Sequence, residues 1–197
     1  MSESMYKNMC EILEEKKKGA VALEKFKIEG GFMAAIQGIP RGEYVRLLVN
    51  GELMMSNTPM EKRTSAYFIL NAEGDVLVCG LGIGLVILPL LENEKVKSIT
   101  VIEKYQDVID CVYTQIKKYD TKGKLSVICQ DCFDFETDKK FDTIFIDIWP
   151  YINNEIYNEE MKPLKRKYRK FLTAERKTVK NIYVWAEYEA KNEIPLR

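Results

Sequence analysis

The second half of the chain alternates short apolar segments with helical patterns, and this alternation constrains the fold more than any other feature. The apolar segments are rich in Val and Ile and lie at residues 75–79, 97–102, 124–128 and 141–146. Strands that are buried on both faces have this composition. The stretches 84–92 and 105–119 between them have the apolar spacing of helices. The alternation predicts an α/β fold built on a doubly wound, mostly parallel sheet with helices on both faces.

A further helix and a fifth strand are predicted after Pro150, over residues 155–178 and 181–186. The helical stretch contains a basic segment, 162–180, with nine Lys or Arg side chains and one acidic residue, Glu175. As a helix it would place four apolar side chains on one face, those of Leu164, Tyr168, Phe171 and Leu172. We interpret it as a solvated helix that covers the sheet. The alternative is a phosphate-binding surface for RNA or DNA.

Shorter elements are predicted ahead of this sheet. The composition of residues 3–18 predicts a helix, and apolar patches at 21–28 and 32–37 predict short strands. Residues 43–55 have the pair Asn50-Gly51 at their centre. This pair tolerates the positive φ angles of a type I′ turn, so the segment predicts a β-hairpin.

A helix is predicted to follow the hairpin and to end near Asn71. Thr58 is a suitable N-cap, and Glu61 stands three residues later, where it would complete a capping box. We therefore expect two units, an N-terminal helix and hairpin region over 1–57 and the α/β domain over 58–197.

The composition excludes several kinds of active site. The chain of 197 residues has no histidine, which excludes Ser-His-Asp and Cys-His pairs and the common zinc sites. Its five cysteines are scattered; Cys129 and Cys132 have C-x-x-C spacing, but a second ligand pair is missing. We expect buried thiols and no metal. Without a signal peptide or a long apolar span, we also expect a cytoplasmic protein that does not enter membranes.

Candidate binding residues follow each of the four predicted strands. In a parallel sheet the ligand binds outside the carboxyl ends of the strands. Glycines after the first strand would let backbone N–H groups approach a ligand, and acidic side chains after the others could accept hydrogen bonds. The residues concerned are Gly80, Gly82 and Gly84 after the first strand, Glu103 after the second, Asp131 after the third and Asp147 with Trp149 after the fourth. Together they predict a site for a nucleoside-containing cofactor.

The glycine spacing narrows the choice of cofactor. The segment Gly80-Leu-Gly-Ile-Gly84 reads G-x-G-x-G and lacks the G-x-G-x-x-G spacing of nicotinamide-binding proteins. Over residues 74–150 the chain resembles the class I S-adenosylmethionine-dependent methyltransferases, which have a Rossmann-like fold. The resemblance implies that the three glycines border the amino-acid part of S-adenosylmethionine. It further implies that Glu103, with Lys104 beside it, holds the ribose, and that Asp131 with Cys132 lies at the adenine.

Within that superfamily the chain is most similar to the spermidine-synthase-like branch. Val78 is apolar where most methyltransferases have an acid, and residues 43–70, including Tyr67, are similar to the branch's strand pair and helix. Residues 141–147 parallel its strand-four motif, in which the Asp is the base toward an amine. The chain departs from the branch at Ile83, Leu85 and Ile69 and in its lack of histidine. It also stops short of the usual sixth and seventh strands.

Methyl transfer requires an oriented nucleophile and removal of its proton, for which one carboxylate suffices. We expect Asp147 to orient the acceptor and act as base. We expect Trp149, Tyr151 and Tyr67 to contact the substrate, and burial beside Trp149 and Tyr151 to raise the pKa of Asp147.

The function that follows is an S-adenosylmethionine-dependent methyltransferase acting on a small amine- or oxygen-containing acceptor. One alternative is an aminopropyltransferase that uses decarboxylated S-adenosylmethionine. Another is a non-catalytic cofactor-binding module, in which the hairpin or the last sheet edge would serve assembly, including assembly into a homo-oligomer.

Overall fold

The computed structural model describes residues 5–176 and 181–196. The strands, in chain order, are β1 Lys16–Lys18, β2 Val21–Ile28, β3 Gly42–Val49, β4 Glu52–Ser56, β5 Gly74–Cys79, β6 Val96–Glu103, β7 Leu125–Cys129, β8 Thr143–Ile146 and β9 Ile182–Val184. The α-helices are α1 Met9–Ile12, α2 Phe32–Ile36, α3 Pro59–Asn71, α4 Ile87–Glu92, α5 Gln106–Val108, α6 Thr114–Ile116, α7 Asn154–Ile156, α8 Lys162–Tyr168 and α9 Glu187–Asn192. The π-helical turns are Ile109–Tyr113 and Tyr157–Met161, and the 3₁₀ turns are Lys117–Tyr119, Arg169–Phe171 and Ala174–Arg176.

The larger sheet has the order β7-β6-β5-β8-β9, and all its strands run parallel. Successive side chains of β5 point to opposite faces. Val76 and Val78 pack into one apolar cluster together with α3, α4 and the helical stretch 106–116. Leu77 and Cys79 pack into a second cluster together with the helical stretch 157–171. Helices therefore cover both faces of the parallel sheet, as the sequence predicts.

The smaller sheet is antiparallel, with the order β1-β2-β3-β4. Asn50 and Gly51, between β3 and β4, have φ angles of 53° and 81°, as the predicted type I′ turn requires. Apolar side chains of β2 and β3 join the cluster on the first face of the larger sheet, among them Leu23 and Leu47. This packing brings the hairpin against the parallel sheet. The division of the chain at residue 57 stays a prediction.

Two predictions for the N-terminal region are wrong. The segment 3–18 is not one helix, because α1 ends at Ile12 and Lys16–Lys18 forms edge strand β1, which pairs with β2. The sheet's hydrogen bonds outweigh local helix propensity there. The segment 32–37 is not a strand. Gly30 and Gly31 have positive φ and turn the chain out of β2, and the short helix α2 follows.

The predicted helix over 155–178 is also too long. The helical stretch ends at Phe171, and Leu172 has extended angles and forms a parallel bridge with Phe141. Burial of Leu172 between this bridge and the second apolar cluster stops the helix. The basic residues of 177–180 lie outside the described residues. Helix α4 begins at Ile87, three residues after the predicted start, because the glycine loop occupies the preceding positions.

Within the described ranges, no helix combines the length and apolar character that crossing a bilayer requires.

Candidate functional site

A cavity of about 370 Å³ lies at the carboxyl ends of β5, β6, β7 and β8. This volume falls within the range of about 300–1,000 Å³ that is typical of small-molecule sites. The structure brings together most of the predicted site residues on its wall: Gly80, Gly82, Glu103, Lys104, Asp131, Cys132, Asp147 and Trp149. The four strand ends therefore contribute to one site.

Gly80 and Gly82 shape the turn between β5 and the cavity. Their φ angles are 97° and 52°, in the region that favours glycine. A Cβ at Gly80 would overlap the backbone carbonyl oxygen of Asp147, and a Cβ at Gly82 would overlap the sulfur of Met55. The glycines thus allow the loop to pack closely against the end of β8 and against β4.

Gly84 lies at the end of the glycine loop and packs against a helix. It is not on the cavity wall, and a Cβ there would come within 2.9 Å of Ile116. Gly84 therefore lets the loop pack against the helical stretch 106–116, and its place beside the cofactor stays a prediction.

Glu103 is the last residue of β6, and its carboxylate links β6 to the glycine loop by a hydrogen bond. Its carboxylate accepts hydrogen bonds from the backbone N–H groups of Leu81 and Tyr105, each at 2.9 Å. Only 7% of the residue is exposed, and burial raises its pKa while the backbone donors oppose that shift. A carboxylate has about four lone-pair positions. Glu103 therefore retains capacity to accept a ligand hydroxyl.

Lys104 and Asp131 form an ion pair at the next part of the wall, with 2.8 Å between Nζ and Oδ2. Asp131 also accepts a hydrogen bond from the backbone N–H of Phe133 at 2.9 Å. The hydrogen bond from Lys104 holds the pKa of Asp131 below its usual value. Asp131 is thus ionised at neutral pH, and Lys104 is already engaged.

The cysteines near this site are free thiols. Cys132 is buried, and its hydrogen bond with Cys79 together with burial raises its pKa. Cys129 is exposed at the end of β7. The described residues contain no group of His, Cys, Asp or Glu side chains that could hold a metal ion.

Asp147 follows β8 and opens on the cavity. Burial raises its pKa to about 7. Within the described residues no hydrogen bond reaches its carboxylate, in contrast with Glu103. Trp149 is buried beside it, and its indole N–H donates to Glu160 at 2.7 Å. Asp147 is therefore a carboxylate whose pKa lies near neutral pH and whose oxygens are available to a ligand.

Glu61 also lines the cavity, although the sequence assigns it to a capping box. That assignment is wrong: the Thr58 side chain makes no capping hydrogen bond, and the Glu61 carboxylate accepts from the backbone of Ser56 instead. Glu61 is 7% exposed. Burial and, second, the charge of Asp147 raise its pKa to about 8. The one feature of the sequence that points to Glu61 as a cavity residue is its position in the first turn of the helix that follows the hairpin.

Two predicted substrate contacts lie outside this cavity. Tyr67 is 69% exposed on α3 and packs edge-on against Tyr183. Tyr151 is also exposed and lines a second cavity of about 970 Å³. The two cavities share the side chains of Met54, Met55, Glu61, Pro150 and Trp185. Tyr151 therefore does not contribute to the burial of Asp147 in the first cavity.

The basic segment is partly neutralised by contacts within the chain. Lys165 pairs with Glu187 at 2.5 Å, and Lys170 pairs with Glu136 at 2.6 Å. Lys167 donates to the carbonyl oxygen of Phe133 at 2.6 Å. The predicted apolar face is buried in the second cluster. These contacts agree with a helix that covers the sheet, and the nucleic-acid alternative stays a prediction.

We expect Glu61→Gln to stabilise the protein at alkaline pH. An acid whose pKa is raised on folding binds its proton more tightly in the folded state, so wild-type stability falls as pH rises from about 4.5 to about 8. Gln removes this loss and can still accept the bond from Ser56. Urea unfolding at pH 5 and pH 8.5 should show the stability advantage of the variant growing by on the order of 3 kcal/mol. The control is Glu159→Gln, at an exposed carboxylate. A stability advantage of Glu61→Gln that does not change with pH would contradict the raised pKa of Glu61 in the folded protein.

No protein-family model and no curated protein matches the chain. Among solved structures, it is similar to spermidine synthase from Thermotoga maritima, at 15% identity over 73% of this chain and 50% of that one, with a TM-score of 0.47. It is also similar to the CcbJ methyltransferase from Streptomyces caelestis, at 18% identity over 59% and 46%, with a TM-score of 0.47.

A third similar structure is the N-methyltransferase NodS from Bradyrhizobium japonicum in complex with S-adenosyl-L-homocysteine. The identity is 19% over 58% of each chain, and the TM-score is 0.42. The chain spans about half the length of the solved structures that it matches. These neighbours are methyltransferases and a spermidine synthase, the two groups named by the sequence resemblance.

Proposed function

We propose that the chain is an S-adenosylmethionine-dependent methyltransferase. The observation that supports this most is the convergence of the glycine loop, Glu103, Asp131 and Asp147 on one cavity at the carboxyl ends of parallel strands. That is the place where α/β sheets bind ligands. When bound, S-adenosylmethionine supplies a methyl group activated by a positive sulfonium.

The residues present fit this cofactor. Gly80 and Gly82 lie on the cavity wall and carry no side chain, so the backbone of the loop borders the cavity directly. We expect Glu103 to accept a hydrogen bond from a ribose hydroxyl and Asp131 to accept one from the amino group of a purine. The surplus of carboxylates on the wall favours a cationic ligand. They are Glu52, Glu61, Glu103, Asp131, Asp147 and Glu160.

Asp147 is the group that we expect to act on the acceptor. Its carboxylate lacks the backbone donors that hold Glu103, so it can accept a hydrogen bond from an acceptor N–H or O–H. With a pKa of about 7, it can also remove a proton near neutral pH. No histidine is needed for this role, because one oriented carboxylate suffices.

Titration calorimetry of the full chain with S-adenosylmethionine, its decarboxylated form and NAD tests the proposal. We expect S-adenosylmethionine to bind and NAD not to bind. Absence of binding by both sulfonium compounds to folded protein would overturn it. Binding without turnover of any acceptor would support the non-catalytic module instead.

We expect Glu103→Ala to weaken S-adenosylmethionine binding about 10- to 100-fold, because a charge-assisted hydrogen bond contributes about 1.5–3 kcal/mol. The dissociation constant from calorimetry is the measurement. The control is Glu94→Ala, which removes an exposed carboxylate paired with Lys122. Equal affinity in the Glu103 variant and the control would show that Glu103 does not contact the ligand.

One observation favours the aminopropyltransferase alternative. Among the described residues that line the cavity, Lys104 is the one basic side chain, and it is paired with Asp131. The carboxylate of S-adenosylmethionine would therefore rely on backbone N–H groups, whereas the decarboxylated form lacks that negative charge. Tighter binding of the decarboxylated form in the same titrations would favour this alternative.

A further inference from the structure

The second cavity lies against the first and is bounded by β4, α3, the loop after β8 and α9. Its volume is about 970 Å³. The side chains of Glu61, Met55 and Trp185 face both cavities. A molecule in the second cavity would therefore reach the wall of the first at Glu61. The charge of Asp147 contributes to the raised pKa of Glu61.

Most of the wall of the second cavity is apolar. The side chains that give it this character are Phe26, Ile39, Leu53, Met60, Ile152 and Trp185. Such a wall favours an apolar body, since burying apolar surface contributes about 25 cal/mol per Å². The wall therefore selects a ligand with a hydrophobic part.

The charged groups of this cavity are mainly acidic. The described residues of the wall include three acidic side chains and one basic side chain. The acids are Glu61, Glu189 and Glu193, and the basic residue is Arg46. The Arg46 guanidinium is already bound to Glu24, with bonds of 2.8 and 3.0 Å. Of the three acids, Glu61 is the buried one, and Glu193 is exposed at the rim. An anionic ligand would meet uncompensated carboxylates, whereas a cation would be attracted.

We propose that the second cavity is the acceptor site and takes an ammonium group carried on an apolar body, with Glu61 as its counter-charge. This proposal rests on the proposed function, because it names the acceptor class for the same site. A short diamine fits less well, since it lacks the apolar body whose burial against this wall would contribute to binding. The ammonium beside Glu61 would lie next to Asp147, the expected proton acceptor.

Calorimetry with 2-phenylethylamine, 2-phenylethanol and 3-phenylpropionate tests the proposal, with 1,4-diaminobutane as the diamine. At pH 8.5 Glu61, with a pKa of about 8, is mostly ionised, and a primary amine remains cationic. We expect the phenylethylamine to bind at least tenfold more tightly than the alcohol and the diamine, and the phenylpropionate not to bind. Equal binding of amine and alcohol, or tighter binding of the diamine, would overturn the proposal.

Glu61→Gln is the diagnostic variant. We expect it to weaken 2-phenylethylamine binding at least tenfold and to leave 2-phenylethanol binding within twofold. The matched control, Glu189→Gln, removes a carboxylate from the same cavity that is less buried, and we expect less than a threefold change. An unchanged amine affinity in Glu61→Gln would overturn the role of Glu61.

Ile39→Trp gives a second test that leaves every carboxylate in place. The larger side chain should fill part of the second cavity and reduce binding of both the amine and the alcohol at least tenfold. S-adenosylmethionine binding is measured on the same samples. Loss of amine binding with cofactor binding intact supports the acceptor site. Failure of the amine to bind a wild-type protein that binds S-adenosylmethionine would overturn only this inference, whereas failure of cofactor binding would overturn the proposed function.

Discussion

Asp147→Asn is expected to lower kcat for methyl transfer about 10²- to 10⁴-fold, the usual contribution of a general base. Asn keeps the size of the side chain but cannot accept a proton. The binding affinity for S-adenosylmethionine should change less than threefold, because Glu103 and Asp131 provide the acidic contacts expected to hold the nucleoside. The measurement is S-adenosylhomocysteine formed with a panel of primary amines and alcohols that includes 2-phenylethylamine.

The pH profile separates a base from a group that only positions the acceptor. Because the pKa of Asp147 is raised to about 7, wild-type kcat/KM for an alcohol acceptor, whose binding is not expected to depend on the charge of Glu61, should rise as pH increases through about 7, where the Asp147 carboxyl group loses its proton. The residual activity of the Asn variant should lack this rise. The control is Asp138→Asn, at an exposed carboxylate on the loop before β8. A variant at Asp147 that retains wild-type rates would contradict the assignment.

Gly80→Ala is expected to destabilise the fold by about 3–5 kcal/mol, the sum of an unfavourable φ and an overpacked contact. The φ angle of Gly80 is 97°. The added methyl group would overlap the backbone carbonyl oxygen of Asp147, which cannot rotate away as a side chain can. Either the loop or the end of β8 must move, so cofactor binding should be lost as well. Urea unfolding at constant pH gives the free energy of unfolding.

The matched control for this variant is Gly51→Ala. Gly51 also has a positive φ, 81°, but no atom lies within 4 Å of a Cβ placed there. Its cost should therefore be limited to backbone strain, about 1–2 kcal/mol. Equal destabilisation by the two substitutions would show that contact with Asp147 contributes nothing at Gly80.

The parallel sheet was predictable because its signal is local and repeated. Each of β5, β6 and β8 is apolar on both faces, and a helical pattern follows β5 and β6. The N-terminal hairpin was equally predictable, since Asn50-Gly51 specifies its turn. The helix over 3–18 and the strand over 32–37 were not, because their sequences are weakly patterned and their pairing partners decide the outcome.

Most of the strand-end residues on the wall of the first cavity could be predicted for a similar reason. Once the strands are known to be parallel, residues that follow each strand must meet at one edge of the sheet. Gly84 shows the limit of that rule, because it follows β5 but is not on the wall of the first cavity. Tyr67 on α3 is also absent from that wall, and Tyr151 lines the second cavity instead. Which way the two Tyr side chains point, and which element packs against Gly84, depends on the packing of the loops and α3. The sequence does not specify that packing.

By itself the sequence predicted the parallel strands and therefore most of the strand-end residues that line the first cavity. It also determined that any proton transfer must use a carboxylate, Tyr, Lys or Cys, since histidine is absent. The tertiary structure alone decided that Glu61 is buried at the junction of two cavities and that the second cavity is apolar with an acidic bias. The physical reason is that these features arise from contacts between the hairpin, α3, the loop after β8 and α9. Such contacts join residues far apart in the chain, and no local pattern encodes them.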